Sequence, residues 1–230
     1  MAHVQGVLCE MKICVLIPVH NESYAISAIV HALRAKSFDV VVVDDGSTDN
    51  SGRIAEQQGA WVIRHEQKRG KGSSLQSGFD YILKQGYEGI MVMDGDGQHA
   101  VEDIDQFIAL AKKDKSSIIV GNRMKNPQGM PLVRFLTNRF MSCLISLACK
   151  QFIPDTQCGF RFISGDILKG LRLTSSDFEI ETEILIKASK KGCRIHSVPV
   201  KTIYRDEESK IRPIKDTMRF IIYFTKEIFS

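Results

Sequence analysis

The sequence predicts an α/β three-layer sandwich, with a mostly parallel central sheet covered by helices on both faces. Short apolar runs of strand length alternate with segments of helical spacing. The strand runs are apolar throughout, the pattern of strands buried on both sides rather than on one. Polar clusters at Pro18 to Glu22, Asp44 to Asp49, Asp94 to His99 and Gly121 to Arg123 each follow such a run. Open α/β sheets bind their ligands at the carboxyl ends of the strands.

The elements follow in chain order. Residues 1–11 carry no pattern and are expected to form a flexible extension. Ile13 to Ile17 reads as the first strand, and Ser23 to Ala35 as a helix with Ile26, Ile29, Val30 and Leu33 on one face. Val40 to Val43 is the second strand, with a polar helix after it. Trp61 to Ile63 is the third, followed by a helix from about Gly72 to Lys84. Ile90 to Met93, a helix from Val101 to Lys113, and a strand at Ile118 to Val120 complete the regular part. Beyond Arg123 the reading is a long apolar segment from Pro131 to Phe152, a loop from Asp155 to Arg161 and a helix from Glu179 to Lys191. A strand pattern from Arg194 to Tyr204 and an amphipathic helix from Pro213 to Phe229 follow.

Composition narrows the class. With 230 residues and 43% hydrophobic content the chain can bury a sizeable core. A net charge of +4 is too small for a general nucleic-acid binder. The six cysteines show no CxxC pair and no zinc spacing, so they are expected to be reduced core residues of a cytoplasmic protein. No uninterrupted apolar stretch approaches the roughly 18 residues of a spanning helix, and the N-terminus lacks the pattern of a signal peptide.

Asp94-Gly-Asp-Gly-Gln-His99 ends a buried strand. Two carboxylates one residue apart, with glycines allowing close backbone approach, suit a hard cation that also takes phosphate oxygens. Mg2+ or Mn2+ is therefore expected on one or two of Asp94, Asp96 and Gln98, with His99 behind them. At Asp44 to Asp49, helix capping by Ser47, Thr48 or Asp49 is expected, while Asp44 or Asp45 could accept hydrogen bonds from a nucleobase or ribose. Glu22 could hold a ribose. Arg69-Gly-Lys-Gly72 opens a helix and could meet phosphate through Lys71 and backbone amides. Walker A and GxGxxG patterns are absent, which weakens kinase, ATPase and dehydrogenase readings.

Taken in order, these motifs resemble the family-2 glycosyltransferases of GT-A fold, and most nearly the polyprenol-phosphate (dolichol-phosphate) mannosyltransferase branch. The resemblance rests on Pro18, Asn21 and Glu22; Asp44 to Ser47; Gly70 to Gly72 with Gly78; Asp94, Asp96, Gln98 and His99; and Gly121 with Arg123. Asp155, Gly159 to Arg161, Phe178-Glu179, Val198 to Val200 and Tyr204-Arg205 extend it over residues 12 to 205. It implies a GT-A catalytic domain at 12–205, with a donor-binding half (12–123) and an acceptor-binding half (124–205), then a C-terminal amphipathic helix at 206–230. It further implies nucleotide-sugar contacts from Pro18, Glu22, Asp44 and Asp45, with metal at Asp96 and Gln98. Arg123 and Arg205 would contact diphosphate or acceptor phosphate, with Arg161 a third acceptor-phosphate residue. The reaction implied is a single inverting displacement, with Asp96, Arg123 and Arg205 as the catalytic set. Many relatives carry transmembrane helices after the catalytic domain, and Asn122 stands where a small Ser is common.

A hydroxyl acceptor needs a carboxylate base, whereas a phosphate monoester, with a second pKa near ~6, is already a dianion and needs cations. Between Lys187 and Lys226 eleven Lys and Arg face four acids, a bias that favours the phosphate. Glu179, whose partner position is Ile180, and Asp155 are the candidate bases if the acceptor is a hydroxyl. The leading expectation is transfer of a hexose from GDP-mannose, or from a UDP-sugar, to a polyprenyl phosphate at the inner membrane surface. A basic amphipathic helix lying in the interface would place the enzyme there peripherally, alone, as a homodimer or with a separate membrane-anchor subunit. Transfer to a glycan or protein hydroxyl is the alternative, and a nucleotidyltransferase or a non-catalytic binding module are more distant ones.

Overall fold

Strands β1 (Ile13–Val19), β2 (Asp39–Asp44), β3 (Trp61–Arg64), β4 (Gly89–Val92), β5 (Ser117–Asn122), β6 (Arg161–Ser164) and β7 (Arg194–Pro199) form one sheet. Their order is β3-β2-β1-β4-β6-β5-β7. The structure, a computed structural model, describes residues 11–203. Arg205, the first ten residues and the amphipathic helix expected at 206–230 lie outside the described residues.

Helices α1 (Ser23–Ala35), α2 (Ser51–Gln57), α3 (Lys71–Lys84), α4 (Ile104–Ala111), α5 (Leu132–Cys149), α6 (Gly165–Lys169) and α7 (Glu179–Lys190) accompany the sheet. β1 pairs in parallel with β2 and β4, β2 with β3, and β5 with β7. The apolar strand runs are buried as their composition requires; Cys14 to Ile17, Val42, Val43, Ile90, Met91 and Ile118 to Val120 are fully inaccessible. α3 comes so close to β1 that a side chain at Gly78 would strike Leu16.

The expected loop from Asp155 to Arg161 ends in a strand. β6 runs antiparallel between β4 and β5, so the two parallel strands that bear the Asp94 and Arg123 motifs are not neighbours. Its four residues, Arg-Phe-Ile-Ser, offer too short a period to recognise, and burial of Arg161 removes the polar signal that would mark an exposed loop. The helix expected over Val101 to Lys113 is shorter, a 3-10 turn (Val101–Asp103) leading into α4.

α5 departs from expectation in composition. It is long and apolar enough to cross a membrane by length and hydropathy, although Arg134 and Arg139 interrupt it. Met141, Ser142, Ile145 and Cys149 pack inward. Leu132, Val133, Leu136, Phe140, Cys143 and Leu147 recur at helical spacing on an exposed side, and Phe152 beyond the helix is 86% exposed. Among the described cysteines Cys14, Cys149 and Cys158 are buried as expected, whereas Cys143 is exposed.

Candidate active site

The loops after β1 and β2 hold each other. Asp45 N–H donates to Val19 O and Asn21 N–H to Ser47 Oγ, while Asn21 Oδ1 accepts from Thr48 N–H. Asp49 serves two helix starts. It accepts from Ser23 N–H at the start of α1 and from Ser51 N–H. Although burial pulls its pKa up, these bonds and that from the Ser51 hydroxyl bring it down to about 2. α2 starts at Asn50, in the left-handed conformation and with no cap from its own side chain. Glu22 is nearly buried at the N-cap of α1, and its N–H donates to Ser51 Oγ.

Asp44 and Asp45, read as nucleotide contacts, point into the protein. Asp44 is 1% exposed and accepts from Ser47 N–H at 2.8 Å; a side chain at Gly52 would collide with its carboxylate. Asp45 Oδ1 accepts from His65 Nδ1 and Arg69 N–H, and Oδ2 from Gly70 N–H, each at 2.8 Å. Burial opposes its charge, but these donors keep its pKa below the usual carboxylate range. Both carboxylates therefore hold the loops that follow β2 and β3.

The N-terminus of α3 is not an open anion cradle. Ser73 N–H donates to Ser176 O and Gln76 Nε2 to Ser175 O, and side chains at Gly70 or Gly72 would lie 2.6 or 2.5 Å from the main chain of Ser176. These glycines make room for the segment before α7. Lys71 bridges two carboxylates, with Nζ 2.6 Å from Asp94 Oδ1 and 2.9 Å from Glu181 Oε1. Burial opposes its charge, yet the two anions hold it protonated.

Asp94 also faces His99 Nε2 at 3.4 Å. Despite burial, Lys71 and His99 hold its carboxyl far below the ordinary range. Asp96 differs: burial and the neighbouring Asp94 charge raise its pKa. One of its oxygens accepts Gln98 N–H at 2.9 Å, and its carbonyl accepts the Tyr24 hydroxyl. His99 is 6% exposed with its ring against Phe160, so it backs the loop as expected. Ile203 N–H donates to Gln98 O, bringing the last described residues onto this loop.

Among the described residues no three His, Cys, Asp or Glu side chains converge to hold a metal ion. Asp94 has Lys71 as its cation; Asp96, beside it, carries a charge that burial opposes. Asp96 could hold a hard ion that takes most of its other ligands from phosphate oxygens and water.

At the end of β5, Arg123 and Asp155 form a two-pronged pair: Nε to Oδ2 at 2.8 Å and Nη2 to Oδ1 at 3.0 Å, with Arg123 N–H also on Oδ2. Asp155 is 1% exposed, so this candidate base is engaged in holding an arginine. Arg161 does not meet the expectation of an acceptor-phosphate contact. It is 2% exposed, and its guanidinium donates to the main-chain oxygens of Cys158, Thr156 and Glu181. Its charge pins the Asp155 loop to α7.

Reading by motif missed Glu181, His65, Tyr24 and Glu183. Glu181 joins Lys71 to Arg161 across the two halves of the chain. Glu183 is fully buried and accepts Thr174 N–H, the Thr174 hydroxyl, Ser175 N–H and Lys187, clamping the segment that covers α3. Although burial raises its pKa, those donors lower it overall. An acid two residues after Glu179 in the first turn of a helix was the available signal for Glu181. Glu179 itself is half-buried at that turn.

The profile of Glycosyl transferase family 2 matches residues 14–171. A UDP-N-acetylglucosamine–dolichyl-phosphate N-acetylglucosaminyltransferase of Methanococcus voltae is 31% identical over 240 residues, covering 94% of this chain and 95% of that protein. A dolichol-phosphate mannosyltransferase of Pyrococcus furiosus is 31% identical over 202 residues, covering 82% and 56%. Among solved structures, glucosyl-3-phosphoglycerate synthase of Mycobacterium tuberculosis superposes with a TM-score of 0.72 at 18% identity, over 95% of this chain and 80% of that one. The likeness to that structure concerns the fold, the GT-A form of the α/β sandwich.

Proposed function

The chain belongs to glycosyltransferase family 2, and from that premise we propose that it moves a hexose from a nucleotide sugar to a polyprenyl phosphate. The engagement of the acidic side chains carries this reading. Asp155 is paired with Arg123, and Glu181 with Lys71 and Arg161, so these two acids are engaged with cations, whereas a hydroxyl acceptor would need a base. A phosphate monoester brings its own nucleophilic oxygen.

Mannose from GDP-mannose remains the leading donor, supported by the resemblance to the mannosyltransferases. The Methanococcus voltae relative, matched along nearly its whole length, supports UDP-N-acetylglucosamine as the second reading. Mg2+ or Mn2+ on Asp96, with Gln98 and Asp94 beside it, would neutralise the diphosphate as it departs. Lys71 is held at the same place by Asp94 and Glu181, ready to meet donor phosphate. Arg123, oriented by Asp155, meets the acceptor phosphate, whose oxygen attacks the anomeric carbon as the bond to the diphosphate oxygen breaks. Arg205 belongs to this set by sequence and lies outside the described residues. Labelled GDP-mannose or UDP-N-acetylglucosamine, incubated with Mn2+ and polyprenyl phosphate, should pass its sugar label into the lipid phase. Label retained entirely in the aqueous phase would exclude the reading.

A lipid acceptor requires contact with a bilayer, and α5 offers it. Ser142 Oγ accepts Thr156 N–H at 2.9 Å, so the helix is bolted to the loop that carries Asp155. Its exposed apolar residues would sink into the interface while Arg134 and Arg139 meet headgroups. Phe140→Glu, a change on the 60% exposed side chain, is expected to reduce co-sedimentation with anionic vesicles at least about tenfold. The melting temperature should stay within about 2 °C, as for an exposed substitution. Unchanged vesicle binding would remove α5 from the membrane contact.

A further inference from the structure

We propose that His65 is a positioning residue of the donor loop, acting through Asp45 on the main chain that presents Lys71. His65 follows β3 and is 6% exposed. Its Nδ1 lies 2.8 Å from Asp45 Oδ1, and its Nε2 lies 3.0 Å from Ser77 Oγ on α3. Asp45 is ionised at neutral pH, so Nδ1 must carry a proton and donate to it. In the neutral ring Nε2 then accepts from the Ser77 hydroxyl.

The remaining capacity of Asp45 goes to the amides of Arg69 and Gly70. One carboxylate therefore joins the imidazole to the turn immediately before Lys71. The turn is backed on its other side by Gly46, at φ +68°, where a side chain would lie 2.8 Å from the main chain of Gln67 and Lys68. His65 orients Asp45, Asp45 fixes Arg69 and Gly70, and the chain delivers Lys71 to Asp94 and Glu181. Without the imidazole a buried carboxylate would keep two main-chain donors and lose its only side-chain one among the described residues. The turn would then be free to shift.

The inference rests on the reading of Lys71 as a donor-phosphate contact, and its test separates the two. His65→Leu removes both ring nitrogens. His65→Asn keeps a donor where Nδ1 stands, because the Asn amide reaches the same distance from the backbone. In steady-state transfer His65→Leu should raise the donor KM about tenfold, the scale of one hydrogen bond to a charged group. The acceptor KM should move less than about twofold, because additivity holds for sites that share no partner. Trypsin should cut the native Leu variant after Lys68 or Arg69, as read by mass spectrometry, and His65→Asn should restore both protection and donor KM.

A Leu variant with the wild-type donor KM and a protected turn would overturn the proposal. So would Leu and Asn variants equally impaired in both KM values, since that marks a general loss of structure. Should the wild-type protein transfer no sugar, the functional reading falls, and the tryptic pattern alone decides the role of His65. Exposure of the turn in the Leu variant only would support it, and an unchanged pattern would overturn it.

Discussion

Replacing Asp96 by Asn is expected to lower kcat/KM about a thousandfold, the scale on which loss of a transition-state charge stabiliser acts. The variant should melt no lower than the wild-type protein. Burial and Asp94 raise the Asp96 pKa in the folded chain, so the folded form holds this proton more tightly than the unfolded one. Across the window from the ordinary carboxylate pKa up to the raised one, stability falls as pH rises, and at neutral pH the Asp96 charge is a cost to the fold. Asn removes that cost while preserving shape. Such a cost is tolerated where a cation relieves it, so a stable and inactive variant is the signature of a functional carboxylate. Thermal unfolding together with initial rates at saturating Mn2+ checks both halves.

Asp155→Ala is expected to act in the opposite way, through the fold. The Asp155 side chain is fully inaccessible and its pair with Arg123 nearly so. Removing one partner of such a pair leaves a buried charge uncompensated and costs about 3–5 kcal/mol. For a chain of this size that corresponds to a fall in Tm on the order of 10 °C. The acceptor KM should rise, because Arg123 loses the partner that orients it, while turnover measured well below the new Tm persists. If Asp155 were the catalytic base, turnover would vanish and Tm would be the lesser effect.

Much of the architecture was legible because burial on both faces leaves a simple trace. β1, α1, β2 and β5 were each apparent as apolar runs or helical spacing, with only their ends adjusted. β6 was not, since four residues cannot establish a period and its arginine reads as polar while being buried. The site was legible as a set of positions but not as a set of orientations. Asp44 and Asp45 stand at the end of β2 as expected and Asp155 in the loop before β6, yet their oxygens are taken by Ser47, His65, Arg69, Gly70 and Arg123. A carboxylate that holds a loop and one that holds a ligand look alike in one dimension. Glu181 was passed over because its partner, Lys71, lies 110 residues earlier in the chain, and no local pattern joins them.

The basic bias of the last third was also only partly informative. Lys187 is committed to Glu183 and Arg172 O, and Lys191 to Gly170 O, so part of the apparent cationic face supports the fold. The apolar side of α5 was present in the sequence, but a core helix has the same composition. Only packing separates the residues that face inward from those left outside.

The acceptor is the centre of the account, and the most direct measurement compares two lipids that differ by one phosphate. Purified protein with Mn2+ and labelled GDP-mannose or UDP-N-acetylglucosamine is offered polyprenyl phosphate or the matching polyprenol. Transfer to the phosphate and none to the alcohol is the predicted result, because the phosphate brings its own nucleophilic oxygen while Asp155 is committed to Arg123. Transfer to the alcohol at a comparable rate would contradict it.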